Sequence, residues 1–166
     1  MVEAIRFVLS NIPAIMFVSA LLAAAFVKQP KHFSTRLLGW MLLLSVGVEE
    51  LWAGIFHVFF PHVAAASIGW EASPFQFEIG VADIAIGLTA IASLWRSLPF
   101  KAAAIAYVTV FYAGVAIGHV REAVTSGNFS GNNFGLLLLI TVVKVILLPT
   151  LYLMARKNTP AQGRDD

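Results

Sequence analysis

Glu49, Glu50, His57, Asp83, His119 and Lys144 all stand inside apolar runs. A charged side chain at the centre of a bilayer costs roughly 3 kcal/mol or more, so it turns toward a protein interior and a partner. Read as a helix, the stretch around residue 50 puts Gly47, Glu50, Gly54 and His57 on one face, at spacings of three and four. Glu49 is turned by about 100° from Glu50 and shares no such stripe. Gly80, Asp83 and Gly87 repeat the same spacing, and Gln76 lies on that stripe while Glu78 lies off it. His119 and Glu122 are three apart, beside Gly114 and Gly118. Lys144 follows Thr141 by one turn. All these glycines, Gly47, Gly54, Gly80, Gly87, Gly114 and Gly118, are expected to admit a neighbouring backbone.

Two chemistries fit these residue types. Imidazoles with carboxylates suit zinc, iron or manganese, which nominates His57, Glu78, His119 and Glu122 as metal ligands. The Glu-x-x-His pair of di-metal bundles is absent, because His119 precedes Glu122. A haem between the two histidines suits the nearby acids less well. The second chemistry is a proton or ion path in a polar cavity formed by Glu49, Glu50, Asp83 and Lys144. A buried lysine wants a carboxylate, and depth nominates Glu50 or Asp83 as its partner. The same residues also suit an ion-pair network that only sets helix register.

The elements that must carry these groups are membrane helices. Hydrophobic residues make up 59% of the 166 and charged residues only 12%, against about a quarter charged in a soluble domain. A span needs about 20 apolar residues. The sequence predicts a compact all-α bundle of five transmembrane helices, at about 4–27, 35–60, 74–95, 100–124 and 134–154. They form one transmembrane domain, 1–155, and a polar cytoplasmic tail, 156–166. A cleaved leader is the competing reading of the first block, and Glu3 weakens it. With no cysteine, thiolate metal sites, disulfides and cysteine nucleophiles are excluded. A net charge of +2 with basic residues at block ends argues for a lipid bilayer rather than nucleic acid as the partner, with a homo-oligomer or a membrane complex as a further expectation.

Lys28, Lys31, Arg36, Arg96, Lys101, Arg156, Lys157 and Arg164 fall on one side, and only Arg6 and Arg121 on the other. The basic side is cytoplasmic by the positive-inside tendency, so the N-terminus lies outside and the C-terminus inside. Localisation follows as multi-pass in the cell membrane, a prokaryotic inner membrane. At about 1.5 Å per residue, the ionisable groups share the outer half or the midplane. That predicts one polar cavity opening outward.

Residues 69–78 read Gly-Trp-Glu-Ala-Ser-Pro-Phe-Gln-Phe-Glu. Ser73, Pro74 and Gln76 suit a capping box at the mouth of the third helix. With the Gly80/Asp83/Gly87 stripe and the Glu-Glu pair upstream, this GW-x-x-SPFQ-x-E motif resembles an uncharacterised family of small multi-pass membrane proteins from bacteria and archaea. The layout is also loosely similar to DoxX-type membrane proteins. The resemblance implies a membrane location and no particular chemistry. Three functions suit the residues: a cofactor- or metal-binding membrane protein, a small proton-coupled transporter, and a non-catalytic accessory subunit. No reaction follows from them.

Overall fold

A computed structural model describes residues 11–28 and 31–159, and among these the chain is helical with no strand. Helix α1 is Ile12–Phe26 and α2 is Phe33–Phe59. A short α3, Pro61–Ser67, lies in the connection to α4, Phe75–Ala92, which ends in a 3-10 turn, Ser93–Trp95. Helices α5, Leu98–Ser126, and α6, Leu136–Lys157, complete the described chain. Four of these segments are long and apolar enough to cross a membrane: Phe33–Phe59, Phe75–Trp95, Leu98–Ser126 and Leu136–Lys157. Helix α1 has 15 residues, about 22 Å, which is short of the hydrocarbon thickness. Residues 4–10 of the expected first span lie outside the described residues.

Local chemistry sets the boundaries. Proline opens α1, α3 and α5, where a missing N–H costs nothing. Gly127 ends α5 in the left-handed region, at φ 67°, a conformation that a side chain disfavours. The capping box expected at Ser73 is not formed. Helix α4 starts at Phe75 with no side-chain cap, and the Gln76 side chain is engaged elsewhere.

Helix α2 is the centre of the bundle. Its first half packs on α1 and α6, and its second half lies along α4. Helix α5 packs mainly on α6. The α2–α4 seam depends on glycine. A Cβ built on Gly54 would lie 2.6 Å from the Gly80 carbonyl oxygen, and one on Gly87 would lie 2.8 Å from that of Gly47. Any side chain at these positions would push the helices apart. The two glycine pairs straddle Glu50 and Asp83 in an antiparallel register, so these acids meet across the tightest part of the seam.

The interior divides along the bundle axis. Near the Lys31 and Arg156 end it is apolar, with Ala20, Ala24, Leu38, Met41, Leu42, Leu148 and Leu151 buried together. Toward the opposite end the buried residues include Glu49, Glu50, Gln76, Asp83, His119 and Lys144. The site occupies that polar half.

Candidate functional site

Eight residues of α2, Met41–Val48, form a π-helical stretch immediately before the two glutamates. The wider turn is marked by the Glu49 N–H reaching the Leu44 carbonyl, five residues back. Such insertions re-phase everything that follows and occur often at functional sites. Here the stretch leaves the Ser45 carbonyl able to accept a hydrogen bond from Lys144 Nζ at 3.2 Å.

Lys144 is 1% exposed, and its charge is matched within the bundle. Its Nζ lies 2.7 Å from Glu49 Oε1 and 4.2 Å from the centre of the Tyr112 ring. The partner is therefore Glu49, not Glu50 or Asp83 as depth alone suggested. Glu49 faces α6 while Glu50 faces α4 and α5. Because α2 is surrounded by helices, two adjacent acids turned apart are both interior, at 5% and 6% exposure. The second oxygen of Glu49, Oε2, is buried with no hydrogen-bond partner among the described residues.

Glu50 and Asp83 form the second unit. The Tyr112 hydroxyl donates to Glu50 Oε1 at 2.6 Å. Asp83 stands opposite Glu50 between the Gly54–Gly80 and Gly47–Gly87 contacts, and both acids line the same cavity. Two neighbouring buried carboxylates repel, so such a pair favours holding one proton. Asp83 Oδ2 lies 4.0 Å from His57 Nε2. On its other side His57 Nδ1 is hydrogen-bonded to Gln76 Oε1. Tyr112, Glu50, Asp83, His57 and Gln76 thus form a continuous polar row along the α2–α4 seam.

His119 belongs to a different group. Its Nδ1 bonds Asn133 Oδ1 at 2.7 Å, and its ring stands 5.6 Å from that of Trp70, centre to centre. The Asn133 amide donates to the Asn128 carbonyl at 2.7 Å. Asn128, Ser130 and Asn132 in turn bond the carbonyls of Ile68 and Ser67. Side chains of the 127–135 loop therefore latch it onto the end of α3, above the polar row.

Between the row and the latch lies a cavity of about 1160 Å³. Its walls include Trp52, Phe56, Trp70, Phe75 and Phe111, and its acidic lining is Glu49, Glu50, Glu71, Glu78 and Asp83. Among the described residues that line it there is no lysine or arginine. Val110 lines the cavity and is also 74% exposed on the outer surface of α5. The cavity thus reaches the side of the bundle that faces lipid.

The residues nominated as metal ligands do not converge. Among the described residues, no group of three or more histidines, aspartates or glutamates is arranged to hold a metal ion. His57 is tied to Gln76 and Asp83, His119 to Asn133, and Glu78 is exposed. Glu122 lies outside the cavity lining, and Arg121 beside it is exposed. The two histidines share a depth without sharing a partner. Gly114 and Gly118 also depart from expectation. A Cβ on either would meet nothing within 4 Å, and both line the cavity. They leave space open where Gly47, Gly54, Gly80 and Gly87 close it.

Tyr112 and Asn133 are the participants that sequence reading did not single out. Tyr112 precedes His119 by seven residues, which places it on the same helical face two turns deeper. That signal was available. Asn133 lies in a loop, where no period could have pointed to it.

No curated protein and no solved structure matches this chain. A family profile does match, over residues 10–161, which takes in every described helix. The chain is an integral-membrane type of sequence built around a polar row and a cavity, and it belongs to the family of unknown function DUF6790.

Proposed function

We propose that this protein is a small proton-coupled carrier that binds a small molecule in its cavity. The carrying observation is the placement of Glu50 opposite Asp83 on the cavity wall, a carboxyl pair that can hold one proton and release it. Intramembrane acids that face a cavity commonly mark proton or substrate paths. A volume of about 1160 Å³ is at the upper end of ligand pockets, which run to about 1,000 Å³. Mostly apolar walls with a few convergent polar groups are the usual composition of such sites. Tyr112 orients Glu50, and His57 stands at the partly exposed end of the row, where a proton can be exchanged with water.

The expected setting is a five-span bundle in a prokaryotic inner membrane. The cavity would open outward. The charge asymmetry supports this orientation, since Lys28, Lys31, Arg36, Arg96, Lys101, Arg156 and Lys157 sit at the ends of helices remote from the cavity. A second reading, a non-catalytic accessory subunit, draws on the Glu49–Lys144 pair, which ties α2 to α6 as a packing lock would.

The test is reconstitution into liposomes with an imposed pH gradient and a lumenal pH dye. A panel of neutral, anionic and cationic small solutes is added in turn. A carrier dissipates the gradient when its substrate arrives, and Glu50→Gln abolishes that response. Dissipation at the wild-type rate in Glu50→Gln would remove Glu50 from the mechanism. No response to any solute class would favour the accessory reading.

A further inference from the structure

We infer that the ligand of the cavity is an amphipathic organic cation, taken up in exchange for the proton shared by Glu50 and Asp83. The inference rests on the carrier reading and names its substrate class. Three independent features converge on it.

The first is charge. Among the described residues, the lysine, arginine and carboxylate side chains lining the cavity are all acids: Glu49, Glu50, Glu71, Glu78 and Asp83. Lys144 approaches from α6 but is paired with Glu49 beneath the lining. The other titratable groups facing the cavity are Tyr112 and His119 from α5 and His57 from α2, so among the described residues no lysine or arginine is left to receive an anionic ligand. The second feature is Glu49 Oε2, an acceptor in a side chain 5% exposed that lines the cavity and, among the described residues, has no hydrogen-bond donor. An unpaired buried acceptor is costly, and a ligand carrying N–H or cationic character relieves it. The third is the wall. Aromatic faces at Trp52, Phe56, Trp70 and Phe111 attract a cation through their quadrupoles and also bury apolar ligand surface.

The exchange balances without any covalent step between heavy atoms. With one proton shared, the Glu50–Asp83 pair carries one negative charge. An arriving monovalent cation settles against the two carboxylates, and the shared proton leaves past His57 to water. One positive charge enters and one departs, so the site keeps its charge. Protons and ligand therefore compete, and affinity rises with pH. The lipid-facing edge at Val110 suits a ligand with an apolar body, because such molecules concentrate in the bilayer.

The test uses the full chain purified in detergent and equilibrium dialysis against two probes of matched shape, tetraphenylphosphonium and tetraphenylborate, with protein-free micelles as the blank. The expected result is saturable binding of the cation that tightens with pH, with release of about one proton per cation into weakly buffered solution. The anion should not exceed the blank. Glu50→Gln and Asp83→Asn should each weaken cation binding about tenfold or more and abolish proton release. Gly114→Leu, which puts bulk into the cavity away from the acids, should block binding in a protein that still folds. Equal saturable binding of both probes, or cation binding indifferent to pH, would overturn the inference on the wild-type protein alone. Cation binding without gradient-driven uptake in liposomes would instead sink the carrier reading and leave the ligand class standing. Uptake of a neutral or anionic solute with no cation binding would do the reverse.

Discussion

At the scale of single residues, the adjacent glutamates have separate roles because they point to opposite sides of a central helix. Glu49 neutralises Lys144, and Glu50 joins Tyr112 and Asp83. Removing one member of a buried ion pair leaves the other charge uncompensated, which costs about 3–5 kcal/mol, while replacing both with apolar residues is often neutral or better. Lys144→Met should therefore lower the unfolding temperature in detergent far more than the Glu49→Leu/Lys144→Met double variant does. A double variant no more stable than the single one would show that the pair is not an isolated unit. Tyr112→Phe deletes a hydroxyl that donates to a buried carboxyl, and should cost about 1–3 kcal/mol. The same unfolding assay reads it, and a change within error would mean that water replaces the hydroxyl. Which acid meets the lysine was not legible in the sequence. Helical phase gives angles within one helix, and the partner depends on which neighbour lies at each angle.

At the scale of elements, one residue type produces two opposite effects. Gly54 and Gly80 touch across the α2–α4 seam, whereas Gly114 borders empty space. Gly54→Ala should destabilise by about 1–3 kcal/mol, because the helices must separate, and Glu50 and Asp83 with them. Gly114→Ala should be neutral or stabilising by up to about 1 kcal/mol, as expected for glycine replaced within a helix. Thermal unfolding of the two variants side by side decides this, and similar losses in both would mean that α5 closes on the cavity. The shared spacing of three and four carried the α2–α4 seam into view from the sequence alone. It carried Gly114 and Gly118 in with it, since a missing side chain either admits a backbone or leaves a gap. The latch from Asn128 and Asn133 onto α3 and His119 is a further element-scale device. Asn128→Ala removes two hydrogen bonds to the Ile68 and Gly69 carbonyls. It should speed proteolytic cleavage in the 127–135 loop while leaving the unfolding temperature within a few degrees.

At the scale of the whole molecule, the bundle is asymmetric, with an apolar core at the basic end and a polar, acid-lined interior at the other. The orientation proposed for it has a direct test. The chain contains no cysteine, so single cysteines report sidedness without a background. In intact cells Glu71→Cys should react with a membrane-impermeant maleimide, and Arg96→Cys should react only after lysis. The reverse pattern would turn the cavity inward and make it an intake site from the cytoplasm.

Composition and hydropathy alone place this chain in a bilayer, because its apolar runs have the length of the hydrocarbon and most of its basic residues sit at their ends. The sequence by itself also determined that Glu50, His57 and Asp83 face a close-packed seam, because helical period and glycine spacing are local properties. Only the tertiary structure decided how the acids are paired, that a π-helical stretch precedes them, that the histidines stand apart, and that a cavity opens beside α5. Those depend on the distances between helices far apart in the chain, and on a backbone insertion that leaves no mark on the pattern of side-chain types.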